Sequence, residues 1–305
     1  MKRWLMIPVV ALVIAACWTS GSTTTTAAAP STTATTAAAS SSTSSSSTST
    51  TAADACAVAN LKTVTPGKLT IATGEPAFPP WVENDDPASK KGFEAAVAYA
   101  VAETMGFKDS QVTWIRTGFD AAIAPGPKKF DFNIQQYSIT PDRKKVVDFS
   151  IPYYTTTQAL IALKGSPIAS ATTLTELKKF KLGAQIGTTS LEFIDQIIKP
   201  DTPAAVYDTN VDAKAGLEAK QIDALVTDLP TAYYITAVEI PDSIIVGQLA
   251  SPDALSDQFG LLLAKDSPLT PCVDKALEKL KADGVLTKLA DQWLTQGGAI
   301  KTIKP

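Results

Sequence analysis

Across residues 68–294, short β-branched or apolar runs alternate with stretches whose apolar residues recur at helical spacing, which restricts the chain to a sheet covered by helices. The first strand is predicted over 68–72, bounded by Pro66-Gly67 and Gly74. A helix follows, with Phe93, Ala96, Val97, Ala100, Val101 and Met105 in register and Gly106 at its end. Strands at 111–115 and 130–134 flank a Pro125-Gly-Pro127 break. A second block then runs strand 158–163, helix 174–179, strand 181–185, helix 190–198, helix 211–219, strand 222–226 and helix 230–238, with Pro230 in the first turn of the last helix. Strands at 243–246 and 259–264 precede two helices over 269–294, broken at Asp283-Gly284. No internal repeat is visible.

Residues 19–53 stand apart. They are almost wholly Ser, Thr and Ala, with no apolar periodicity, and cannot bury enough surface to fold. About 35 residues of such chain form a flexible tether with an end-to-end distance on the order of 30 Å. The remainder carries most of the 45% hydrophobic residues and suffices for one large or two ordinary domains, of which two are expected. A net charge of -3 without long basic runs argues against nucleic acid and for a small-molecule partner. The sequence contains no His, so a histidine base, a Ser-His pair and a histidine metal ligand are all excluded. No cofactor or metal is expected, and the protein is read as a monomer and not an enzyme.

Lys2 and Arg3 precede an apolar run that ends in Ile14-Ala15-Ala16-Cys17, too short to span a bilayer comfortably. This end is similar to the lipobox of bacterial lipoproteins, which implies export, a signal peptide and lipobox over 1–17, and lipidation of Cys17 as the first residue of the mature chain; two acyl chains would make the anchor stable. The alternative is an ordinary signal peptide with an incidental Cys. If Cys17 carries lipid, Cys56 and Cys272 remain as a pair outside the cytoplasm, and a disulfide between them is predicted.

Eight short motifs follow in order: Pro76-Ala-Phe-Pro-Pro-Trp81, Gly92-Phe-Glu94, Gly118-Phe-Asp120, Ser138-Ile-Thr-Pro-Asp-Arg143, Val147-Asp-Phe-Ser-Ile-Pro-Tyr-Tyr154, Gly187-Thr-Thr-Ser190, Ile222-Asp-Ala-Leu-Val-Thr-Asp228 and Lys281-Ala-Asp-Gly284. Each alone is weak, but together and in sequence they resemble solute-binding protein family 3, the amino-acid receptors of ABC importers. The resemblance implies the α/β type II periplasmic-binding-protein fold, two lobes joined by a two-strand hinge with ligand between them. Lobe one would comprise 56–157 plus 259–305 and lobe two 158–258, behind a tether at 18–55. The crossings are expected near 158–162 and 258–262.

The same resemblance assigns the site. Arg143 matches the arginine that pairs with the ligand α-carboxylate, a role suited to a planar guanidinium; otherwise it is a surface arginine at a helix start. Thr188 and Thr189 lie where free amides and a hydroxyl complete the carboxylate pocket, and either also suits a plain helix N-cap. Asp228 matches the acid that binds the α-ammonium, the alternative being a cap ahead of Pro230. Phe78 and Phe119 match two aromatic walls, although aromatic residues near strand ends are often simply core. Gln136 and Ser138 match positions that contact the ligand's backbone groups; Gln135 and Gln136 depart from the small residues common there. Glu75 lies where receptors for basic amino acids carry a side-chain-binding acid, and is equally an exposed turn. Trp81, Tyr137, Tyr153, Tyr233 and Tyr234 are assigned to packing or hinge.

These readings describe a receptor on the outer face of the cell membrane that traps a free amino acid, polar or basic, and delivers it to the membrane subunits of an ABC importer. Two rivals stand beside it. One is a dehydratase-like enzyme on the same scaffold with a buried Glu, Glu75, as general acid. The other is a sensor that binds ligand without transport.

Overall fold

The computed structural model describes residues 55–250, 257–294 and 298–305. Cys17 and nearly all of the tether therefore lie outside the described residues. The first half of the fold begins with β1 (Leu69–Thr73), buried along its whole length as befits an inner parallel strand. Helix α1 (Phe93–Thr104) follows and buries Phe93, Val97, Ala98 and Val101. It stops where predicted: Gly106 takes φ 92°, and the Phe107 amide returns to the carbonyl of Ala102. Strand β2 (Val112–Arg116), α2 (Phe119–Ile123), β3 (Phe132–Asn133) and β4 (Val147–Phe149) complete this stretch.

The chain then runs through β5 (Tyr154–Thr156) into β6 (Gln158–Leu163), α3 (Leu174–Leu177), β7 (Leu182–Gln185), α4 (Thr189–Glu192), β8 (Ala205–Tyr207), α5 (Asn210–Glu218), β9 (Ala224–Asp228), α6 (Leu229–Tyr234) and β10 (Ser243–Leu249). It returns by β11 (Asp257–Phe259) to β12 (Leu262–Ala264), α7 (Thr270–Ala282), α8 (Val285–Trp293) and a last strand, β13 (Thr302–Ile303). Gly284, at φ 70°, separates α7 from α8 as the sequence indicated.

Two sheets result. One has the order β2-β1-β3-β12-β4, the other β13-β10-β6-β9-β7-β8, and β5 pairs with β11 as an antiparallel ribbon. In the first, α1, α7 and α8 cover one face through Val97, Val101, Val273, Leu277 and Leu286. Truncating a side chain such as Leu277 there would cost about 2–5 kcal/mol. In the second, β6 sends Leu160 and Ala162 to one core and Ala159 and Ile161 to another, the two-residue period of a strand buried on both faces. Cys56 and Cys272 form the predicted disulfide, with Cα atoms 5.4 Å apart and a sequence separation of 216.

Several expectations are corrected. The crossings are the ribbon strands β5 and β11, whereas residues 158–162 lie inside the second sheet. The strand expected at 259–264 is two strands, because Gly260 lies so close to Ile139 that a Cβ would come within 2.8 Å of it, and the chain changes sheet there. The strand expected over 130–134 shrinks to two residues as the chain turns towards Gln136 at φ 48°. The strand placed at 222–226 sits two residues later, and the helices placed at 190–198 and 230–238 widen into π turns at Phe193–Ile198 and Ile235–Glu239. Finally, β13 joins β10 in the second sheet, so the last strand of the 259–305 tail assigned to lobe one leaves it, while β12, α7 and α8 stay with the first sheet.

Candidate functional site

A cavity lies between the two halves, and eight of the nine predicted ligand residues line it: Phe78, Phe119, Gln136, Ser138, Arg143, Thr188, Thr189 and Asp228. Glu75 does not. It is exposed and borders a neighbouring cavity that shares Pro76, Phe78, Phe119, Gln135 and Gln185 with the first. An exposed Glu75 lacks the burial that the dehydratase reading required of its general acid.

Arg143 opens a short 3-10 turn behind the Thr140-Pro141 bend and is 7% exposed, which removes the surface alternative. Its Nη1–H donates to the Ser138 carbonyl at 2.7 Å and its Nη2–H to the Gly187 carbonyl at 2.9 Å, so one guanidinium touches both halves. The Phe119 ring lies 5.5 Å away and itself stacks on Tyr137 at 4.6 Å. Burial lowers the Arg143 pKa, opposed by the charges of Glu192, Tyr137, Asp257 and Asp120. Gly187 has φ 72°, and a Cβ there would meet the Asp120 carboxylate at 2.0 Å, so the turn that presents its carbonyl needs glycine for both conformation and space.

Thr188 caps α4, accepting the Leu191 amide at 3.2 Å and donating to the Gln185 carbonyl at 2.7 Å. Thr189 is freer to act: its hydroxyl lies 3.1 Å from that of Ser138, another contact between the halves. Gln158 holds this corner, its Oε1 accepting from Ser190 at 2.6 Å and its Nε2 donating to Asp257.

Asp228 ends β9 and also caps α6, so both of its readings hold together. Its Oδ1 accepts the Thr231 amide at 2.9 Å and its Oδ2 the Thr231 hydroxyl at 2.8 Å. The Thr231 hydroxyl in turn accepts the Trp81 indole N–H at 2.9 Å, a third connection between the halves. Burial pushes the Asp228 pKa up to about 6 in spite of these donors, with the Asp257 charge adding to the shift.

The residue missed was Glu94. It lines the cavity at 0% exposure and accepts the Gln136 amide at 2.7 Å, the Gln136 side-chain amide and the Tyr153 hydroxyl. Desolvation pushes its pKa up to about 7; the Tyr153 and Gln136 donors oppose this and the Asp228 charge adds to it. A signal existed. Glu94 stands three, four and seven residues before Val97, Ala98 and Val101, which puts a carboxylate on the apolar face of α1. Trp81, assigned to packing, both packs and lines the cavity; Gln135, singled out beside Gln136, lines it too, and Gln158 and Gln185 join it unforeseen. Among the described residues no group of three or more acidic or Cys side chains is placed to hold a metal ion.

The site thus draws on both halves of the fold for one buried cation and two buried or half-buried acids, flanked by the rings of Phe78, Trp81, Phe119 and Phe259. A family model for bacterial extracellular solute-binding proteins, family 3, matches residues 69–296. The chain is 28% identical over 208 residues to the ABC transporter arginine-binding protein 1 of Escherichia coli (strain K12), covering 67% of this chain and 82% of that protein. Among solved structures, it resembles an ancestral arginine-binding protein bound to arginine at 31% identity and TM-score 0.62, over 74% of this chain and 97% of the other. It also resembles an ancestral amino-acid-binding protein described as a precursor of cyclohexadienyl dehydratase, at 28% identity and TM-score 0.61, over 75% of this chain and 95% of the other.

Proposed function

The chain belongs to the bacterial extracellular solute-binding proteins of family 3, and from that premise we propose that it captures a cationic amino acid between its two halves and presents it to an ABC importer. The observation that carries this reading is that Arg143 and Asp228, from different halves, line one cavity. A guanidinium and a carboxylate so disposed match the two charged ends of an amino acid. The ligand's side chain extends between Phe78 and Phe119 towards the neighbouring cavity, where Glu75, Asp120 and Asp208 supply three carboxylates. That surplus of negative charge favours Arg or Lys over a neutral side chain, in keeping with the arginine-binding relatives.

Binding works by closure. Contacts that need both halves, such as Arg143 to Gly187 and Ser138 to Thr189, form together with the grip on the ligand, so ligand shifts the population towards the closed form. No covalent step is involved, and the amino acid leaves intact. A lipid on Cys17 and the Ser/Thr/Ala segment would hold the receptor at the membrane surface beside its importer.

Calorimetry with the twenty amino acids tests the proposal. L-arginine or L-lysine should bind most tightly, and Arg143→Met should weaken that binding by at least about a hundredfold, because a desolvated carboxylate loses its partner. Failure of every amino acid to bind, or an unaffected R143M variant, would refute the reading. Co-purification with an importer's membrane subunits separates transport from sensing, and recovery of intact amino acid after incubation separates binding from catalysis.

A further inference from the structure

Glu94 has no place in the two-ended grip just described, yet it lines the same cavity and is fully buried. Resting on the amino-acid-binding reading, we propose that Glu94 is a second acid at the ammonium end of the site, which holds a proton in the unliganded protein and releases it to solvent when the ligand's ammonium arrives.

The argument is one of charge and surroundings. Each carboxylate is satisfied by neutral donors: Glu94 by Gln136 and Tyr153, Asp228 by Thr231. Among the described residues no Lys or Arg forms an ion pair with either. The groups facing them are mostly acidic or neutral. Asp228 and the phenols of Tyr153 and Tyr137 act on or feel Glu94, and Asp257 and Tyr154 interact with Asp228. Arg143 lies in the same cavity, with its guanidinium hydrogen bonds directed to the Ser138 and Gly187 carbonyls. Two ionised acids at one end of a buried cavity repel each other; a proton on Glu94 relieves that repulsion before the ligand arrives, and an ammonium seated between the acids relieves it afterwards, while the ligand's carboxylate is taken up by Arg143.

The position of Glu94 also bears on recognition. Its two oxygens hold Gln136 by both backbone and side chain, and that residue sits at φ 48°, a left-handed conformation uncommon for a residue other than glycine. Ionisation of Glu94 strengthens the hold on Gln136 as the ammonium docks, so loss of the proton and ordering of the pocket are one event.

Calorimetry of L-arginine binding in buffers of different ionisation enthalpy tests this. Near pH 6.5, close to the value of about 7 for Glu94, between about half and one proton should leave per ligand bound, and affinity should be about tenfold greater at pH 8 than at pH 6. Glu94→Gln should remove the proton release at pH 7. Tyr153→Phe, which deletes one donor to the carboxylate, should move the midpoint of the pH dependence upward, and it keeps the test decisive should E94Q fail to fold. Heats that do not depend on the buffer, a release unchanged in E94Q, or a midpoint unmoved in Y153F would each overturn the inference while leaving amino-acid binding intact. Absence of any binding between pH 5 and pH 9 would instead overturn the function proposed above.

Discussion

At the scale of single residues, the site shows how burial changes the work a side chain does. Glu94 carries a carboxyl whose pKa stands above its ordinary 4.5, at about 7. The folded protein therefore holds more protons than the unfolded chain between those two values. Stability contributed by the protonated carboxyl is fully present below about pH 4.5 and is lost as pH rises through about 7. Urea unfolding of the unliganded protein should show this loss on going from pH 5 to pH 8, and E94Q should flatten that limb of the profile. Asp228, raised to about 6, shifts the curve in the same direction at lower pH.

At the scale of elements, the start of the folded region is tied to a helix near its end. The disulfide fixes the segment before β1 to α7, whose buried face packs on α1, so the cross-link closes most of the folded region into one loop. In the chain-entropy account such a loop contributes roughly 4 to 5 kcal/mol. Replacing both Cys56 and Cys272 by Ser should lower the unfolding free energy by about that amount in denaturant titration, with ligand affinity little changed, since neither residue lines the cavity. The ribbon of β5 and β11 is a different kind of element. It links the two sheets by two short strands, and Gln158, next to its second-half end, donates both to Asp257 of the ribbon and to the Thr189 hydroxyl at 3.5 Å, so hinge and pocket share hydrogen bonds.

At the scale of the whole molecule, hydrogen bonds among the described residues join the halves around the cavity: Arg143 to Gly187, Ser138 to Thr189, and Trp81 to Thr231. The last also leads to Asp228, because Thr231 donates to that carboxylate while accepting from Trp81. Thr231→Val removes both bonds without changing side-chain size much. Affinity for the ligand should fall by about tenfold, the net worth of one to two such hydrogen bonds, and the change in Trp fluorescence on ligand addition should shrink. An unchanged affinity would show that closure does not draw on this contact.

Much of the fold could be read from the linear chain because it depends on local periodicity and on punctuation. Gly106 and Gly284 end helices, the 3.6-residue spacing from Phe93 marks α1, and the uninterrupted apolar run at Gln158–Leu163 marks a strand buried on both faces. Motif order carried the site as far as Arg143, Thr189 and Asp228, since each sits at the end of a strand or the start of a turn with its own local signature. What periodicity could not supply was anything set by pairing between distant segments. The splitting of 259–264 at Gly260, the addition of β13 to the second sheet and the burial of Glu94 against Gln136 and Tyr153 all depend on partners scores of residues away. The sequence thus determined most of the segments that are strands and helices and where the charged groups that line the cavity lie along them. Tertiary packing decided which of those groups lose water, and loss of water is what pushes the carboxyl pKa of a glutamate on α1 up to about 7 within the cavity.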